Sequence, residues 1–190
     1  MKLCIDLCCG LGGFSQAFME DADWEVIRID ISDKLNANII ADICDLPLKE
    51  NLKPDVLLMS PPCERFSIAN SRWPQHGIGE AMTLVGACLE AVIWLKPKYW
   101  CLENPKGRLR WFMPWQPAST INLGDYGCKI MKPSDLWGNI PLGLVPNVGT
   151  VKGIDAQRAI TGKDPWMRSS PSRAEMPYKL SEAIKEAANR

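Results

Sequence analysis

A chain of 190 residues, 46% hydrophobic and 23% charged, has the composition of one globular domain large enough to bury a core without staples. No apolar run reaches the ~18 residues of a membrane span, and MKLCIDLCCG lacks the charged region, apolar stretch and cleavage site of a signal peptide, so the cytoplasm is expected. Net charge is zero but uneven: residues 1–60 carry five Lys/Arg against eleven Asp/Glu, while 96–132 carry seven against two, the surplus that a polyanion-binding face needs.

Short apolar runs alternate with stretches of helical period. LCIDLC (3–8), EVIRID (25–30), NIIADI (38–43), DVLLMS (55–60) and YWCLEN (99–104) read as strands; GFSQAFME and GEAMTLVGACLEAVIWL (79–95) read as helices between them. This order predicts an α/β fold, a mostly parallel sheet with helices on both faces. STINLGDYG and SDLWGNI read as two further strands, pairing as an antiparallel hairpin at one sheet edge. Residues 141–171, rich in Pro, Gly and Ser, read as an irregular excursion within the single domain. PYKLSEAIKEAANR suits a terminal helix with Pro177 in its first turn and Leu180, Ile184 and Ala187 inward.

Eight cysteines include no C-x-x-C pair, and His76 is the chain's one histidine, which argues against a metal site. Cys4, Cys8, Cys44, Cys88 and Cys101 lie in apolar stretches and are expected in the core, as small hydrophobes in a reducing compartment. The eight tryptophans, including Trp111, Trp115 and Trp166 in the basic half, offer rings for base stacking or partner binding, though most of the eight are expected in the core.

Three strand ends suggest a nucleoside site. DLCCGLGGFSQAF follows the first strand and opens a helix, and its glycines let backbone approach a ligand. Asp30 ends the second strand, where a carboxylate can hold a ribose diol, and Asp42 with Ile43 ends the third, offering a polar and an apolar group to an adenine. At the same sheet edge, Pro61 and Pro62 restrict the backbone leading into Cys63. A thiolate on a rigid turn suits covalent catalysis. Glu103, in CLENPKGR at the next strand end, would stand beside Cys63. A thiolate adding to C6 of a pyrimidine pushes charge toward N3, which a carboxylic acid can protonate.

With these residues assembled, the chain resembles the DNA cytosine-C5 methyltransferases over most of its length. DLCCGLGGFSQAF resembles the family's cofactor-binding first motif, PPCERFS its nucleophile motif and CLENPKG its glutamate-asparagine motif, in the family's order. The resemblance implies a Rossmann-like class I methyltransferase fold that binds S-adenosylmethionine through Asp6, Cys8, Gly10, Gly12, Gly13, Phe14, Asp30, Ile31, Asp42, Ile43 and Pro61. It also implies a DNA substrate, with Cys63 adding to C6 of a flipped-out cytosine, Glu103 at N3, and methyl transfer to C5.

The chain departs from the family pattern in several places. Cys8 and Ile31 stand where aromatic residues usually flank the adenine, and ENP replaces ENV. GDYG resembles the start of the Q-x-R-x-R motif, but of its cations only Lys132 remains, with Ser134 where a second arginine would stand. Only 141–171 is available for target recognition, which implies single-stranded or loosely sequence-selective DNA, or a protein partner supplying contacts. The closing Gly-Asn-Ser is absent, and the compact form with KPSDLW resembles phage-encoded members. Two other readings stand beside the methyltransferase: transfer of a modified methyl group, such as carboxymethyl, from an S-adenosylmethionine analogue, and a non-catalytic protein that binds DNA or a partner.

Overall fold

The structure, a computed structural model, describes residues 1–67, 77–128, 132–140 and 175–190. Among these, β1 (Lys2–Leu7), β2 (Trp24–Asp30), β3 (Ile39–Ile40), β4 (Val56–Met59), β5 (Tyr99–Pro105), β6 (Ser119–Asn122) and β7 (Pro133–Gly138) form one sheet of order β3-β2-β1-β4-β5-β7-β6. β1 pairs in parallel with β2 and β4, β2 with β3, and β4 with β5. β7 runs antiparallel to both β5 and β6. The fold is thus the expected Rossmann-like α/β sheet, mostly parallel with an antiparallel hairpin at one edge.

Side chains alternate across each strand, so the sheet builds two cores. Cys4, Val56, Leu58, Cys101 and Leu136 face one side, where they meet Phe14, Phe18, Leu180, Ile184 and Ala187. Those partners come from a 3-10 turn (Gly13–Ser15), α1 (Gln16–Met19) and the C-terminal α3 (Tyr178–Ala188). Ile5, Leu7, Leu57, Met59, Leu102 and Trp137 face the other side, under Ala81, Val85, Cys88, Ala91 and Leu95 of α2 (Ile78–Leu95). By length and composition α2 could cross a membrane. Here its apolar stripe at helical spacing packs against the sheet, as in an amphipathic core helix.

Some elements differ from the sequence expectation. The third strand shrinks to two residues because Asp42 starts a turn, its carboxylate accepting from Cys44 N and its carbonyl from Asp45 N. Cys44 is consequently exposed, outside the core where its apolar neighbours suggested it, and Cys8 is half-buried. STINLGDYG is a strand only to Asn122, whose side chain accepts from Gly124 N and begins a 3-10 turn, Leu123–Tyr126. Residues 141–171, with Trp166, and His76 lie outside the described residues.

Strand order reverses between β1 and β4, so the loops leaving their carboxyl ends diverge and open a crevice there. A buried polar chain holds the first loop in shape. Asp6 Oδ2 accepts from Ser15 Oγ (2.6 Å); Arg28 Nε donates to Ser15 Oγ (2.8 Å), and its guanidinium also donates to Gly12 O (2.7 Å). Gly12 lies at φ +79, and a Cβ on it would meet this guanidinium at 2.7 Å. A Cβ on Gly13 would stand 2.3 Å from Met176 O, so the loop needs a glycine there to dock on the segment leading into α3.

Burial raises the Asp6 carboxyl to about 7, opposed by the Ser15 hydrogen bond and the Arg28 cation. The folded chain therefore holds this proton more tightly than the unfolded one, and stability falls as pH rises from the ordinary carboxylate range through about 7. Melting temperature followed from pH 5 to 8 should decline with pH, and Asp6→Asn should make that slope shallower. Equal slopes in the two proteins would contradict the assignment.

Candidate functional site

Three loops meet the crevice. In the first, Cys8 and Gly10 both have φ +55, in the left-handed region that lets the chain turn sharply after β1. Gly10 N donates to Asp30 Oδ2 (3.0 Å) and Ser32 N to Asp30 Oδ1 (3.1 Å), fixing the carboxylate at the end of β2 while leaving each oxygen a further lone pair. A Cβ on Gly10 would meet nothing within 4 Å, unlike those on Gly12 and Gly13, so the loop offers its open backbone at this one of its three glycines. Ile31 is 69% exposed, Asp42 is exposed and Ile43 half-buried. An open backbone cradle, a carboxylate and an exposed apolar side chain fit the sugar and base of a nucleoside cofactor.

Not every expected cofactor residue presents its side chain. Asp6 and Phe14 are buried in the face covered by α1, where they shape the loop from beneath. Cys8 packs on the α2 face, and a hydrogen bond with Cys88, together with burial, pushes its thiol pKa well up. Pro61 is buried, and its carbonyl is bound by Asn104.

The second loop carries Cys63. Beyond β4 the two prolines lead into Cys63, whose carbonyl accepts from both Phe66 N (3.0 Å) and Ser67 N (2.9 Å), a tight turn that leaves the thiol half-buried. Two residues missed by sequence reasoning brace this loop. Asn104 Nδ2 donates to Pro61 O (3.2 Å), and Arg108 donates through its backbone N to Phe66 O and through its guanidinium to Ser67 O (2.9 Å each). Asn104 lies within the quoted CLENPKG and is its one amide side chain; being wholly buried, it is a polar group that had to find a partner.

The third element is the β5–β7 pair. Glu103 sits opposite Leu136 and on the same face as Ser134, while Asn104 sits opposite Asp135 on the other face. Asp135 is buried and takes a two-pronged ion pair from Arg110 plus the Thr120 hydroxyl at 2.7 Å, which ties the 108–111 turn to the hairpin. Glu103 Oε1, Ser134 Oγ, Asn104 Oδ1 and Ser60 Oγ are all buried without a hydrogen-bond partner among the described residues. Unpaired buried polar atoms are costly, and four of them at the adjoining ends of β4, β5 and β7 mark a surface built to receive polar atoms from elsewhere.

Electrostatics links Cys63, Glu103 and Lys132. Burial raises the Cys63 thiol above its ordinary value; the Lys132 cation lowers it, and the Glu103 and Glu64 carboxylates raise it. Burial also raises Glu103, against the Lys132 cation and the neighbouring Ser134 hydroxyl, which approaches the carboxyl without reaching Oε1 in hydrogen-bonding geometry. Lys132 thus acts on both groups. Its backbone is pinned by Lys132 N to Asn122 Oδ1 (3.1 Å) and Leu123 N to Lys132 O (3.0 Å). The arrangement sets a thiol, a carboxyl and a cation within electrostatic reach of one another.

A family model for C-5 cytosine-specific DNA methylases matches residues 3–110. No curated protein matches the chain. Among solved structures, a chain described as a DNA modification methyltransferase encoded within an E. coli prophage superposes at TM-score 0.54 with 15% identity, covering 87% of this chain and 56% of that one. The PH0226 protein from Pyrococcus horikoshii OT3 gives TM-score 0.39 and 19% identity over 63% of this chain and 56% of that one. The first shares the fold, and this chain spans little more than half the length of either. As the matched region covers more than half of the sequence and holds the glycine loop, Cys63 and Glu103, the chain belongs to the C-5 cytosine-specific DNA methylase family.

Proposed function

We propose that this chain, as a single domain, transfers a methyl group from S-adenosylmethionine to C5 of cytosine in DNA, through a covalent bond between Cys63 Sγ and C6. The observation that carries this reading is the buried, unpaired Glu103 carboxyl oxygen beside the rigid Cys63 turn. The Gly10 backbone, Asp30 and the Ile31 and Asp42 side chains would hold S-adenosylmethionine, which would supply the electrophilic methyl group there.

The chain's own residues do the rest. Thiol and carboxyl share one proton in the active state, thiolate with carboxylic acid. Sγ adds to C6 while Glu103 gives its proton to N3, so the electron pair of the C5–C6 bond collects at C5 as an enamine. C5 takes the methyl group, then loses its proton to solvent; the C6–Sγ bond breaks, and N3 returns its proton to Glu103. Ser134, on the same face as Glu103, offers a further polar atom to the base edge. DNA is met in the cytoplasm, with the cytosine out of the stack, a step that costs least in a single strand.

Nucleosides from the DNA of cells expressing the wild type should contain 5-methylcytosine by mass spectrometry, and Cys63→Ser should abolish it. Glu103→Gln should lower the rate by about 10²–10⁴-fold. A heavier C5 substituent would instead identify a modified methyl donor, and undiminished methylation by Cys63→Ser would overturn the mechanism.

The pH profile tests the shared proton. The rate should rise through the titration of Glu103, level off, and fall above that of Cys63, as expected when the base of the pair has the higher pKa. Because Lys132 lowers both groups, Lys132→Ala should move both limbs to higher pH, and a profile unmoved by that change would remove Lys132 from the site.

A further inference from the structure

Immediately beyond Glu103 and Asn104, the segment KGRLRWFMPW (106–115) turns its largest aromatic side chains outward. Trp111 is 74% exposed, Trp115 46% and Phe112 39%, so these two tryptophans are not among those in the core. Burying rather than exposing such rings is the ordinary solution, and three exposed within five residues form a patch of the kind that marks an interaction site.

The patch is held rigidly. Leu109 and Met113 point into the core and anchor it, with Phe112 N and Met113 N both donating to Leu109 O at 3.0 Å. The Arg110–Asp135 ion pair fastens its base, and Trp137 Nε1 reaches Trp115 O at 3.4 Å. It is also continuous with the Cys63 turn: Phe112 lies tilted against Phe66, three residues after Cys63, with ring centroids 6.4 Å apart, and Arg108 binds the carbonyls of Phe66 and Ser67. No Asp or Glu occurs between 104 and 124; Asp135 meets the charge of Arg110, and Lys106 stands exposed beside the aromatics.

We propose that residues 106–115 form a stacking platform for an unpaired DNA strand, with Trp111 and Trp115 receiving bases next to the cytosine at Cys63 and the exposed Lys106 meeting its phosphates. The identity of the strand rests on the proposed cytosine chemistry, whereas the platform rests on the exposed aromatics and their rigid mounting. Aromatic faces accept any base, so such a platform grips DNA with little sequence preference.

The probe is a fluorescent single-stranded deoxyoligonucleotide containing one cytosine, titrated into the full chain without cofactor. Trp111→Ala and Trp115→Ala should each weaken binding about tenfold or more, Trp111→Phe should restore most of the loss, and melting temperatures should stay within a degree or two of wild type. Affinities within twofold of wild type would overturn the platform and leave the patch to a protein surface. A melting temperature that falls with the affinity would also overturn it, since the tryptophans would then be packing against the chain's own residues. The outcome is separable from that of the catalytic reading: tryptophan-dependent binding without cytosine modification would keep the platform and sink the reaction, and modification with Trp-independent binding would do the reverse.

Discussion

The hydrogen bond from Asn104 Nδ2 to Pro61 O ties the Cys63 turn to the strand that carries Glu103. Successive residues of a strand face opposite ways, so Glu103 turns toward the face that carries Ser134 while Asn104 turns to the other and grips the loop. The Glu-Asn pair therefore sets the acid and registers the thiol in one step. With Pro61 and Pro62 limiting backbone freedom on the approach, little conformational entropy remains to be lost when a base arrives.

The same geometry accounts for the charge balance. Two groups that both titrate toward negative charge are set in a low-dielectric mouth, where burial alone would keep both protonated. Lys132 offsets that penalty for each. It lies just before β7, and β7 is registered against β5, so the antiparallel edge hairpin brings the cation to the carboxyl ends of parallel strands. The buried Asp135 does not compete for the site, because Arg110 and Thr120 already occupy its oxygens.

Fold and catalytic groups were legible to different degrees. Short apolar runs and helical period revealed the strands and their order, because the central β1 and β4 are buried along most of their length and α2 packs one stripe on the sheet. Cys63, Glu103, Asp30 and the glycine loop were singled out by their positions at strand ends, and the structure sets them at the carboxyl ends of β4, β5, β2 and β1. Local propensity misjudged what tertiary contacts decide. Cys44 looked like core until the Asp42 turn exposed it, and which tryptophans stay outside was not legible until Leu109 and Met113 filled the inward positions beside Trp111. Arg28 interrupts the apolar EVIRID and was the available sign that something polar lay beneath the glycine loop, though only the fold shows that Ser15 and Gly12 receive it. Asn104 and Arg108 act through backbone carbonyls, which leave no trace in the sequence of their partners.

The central claim is the bond between Cys63 and cytosine C6, and a substrate that cannot complete the reaction tests it most directly. With fluorine at C5 in place of hydrogen, the step that expels the thiolate is blocked, because fluorine cannot leave as a proton does. Incubating the chain with S-adenosylmethionine and an oligonucleotide containing 5-fluorocytosine, then measuring intact mass under denaturing conditions, should show protein joined to methylated oligonucleotide, with the link mapping to Cys63 among the eight cysteines. Methylation of ordinary cytosine without any such adduct, or an adduct on a different cysteine, would contradict the account.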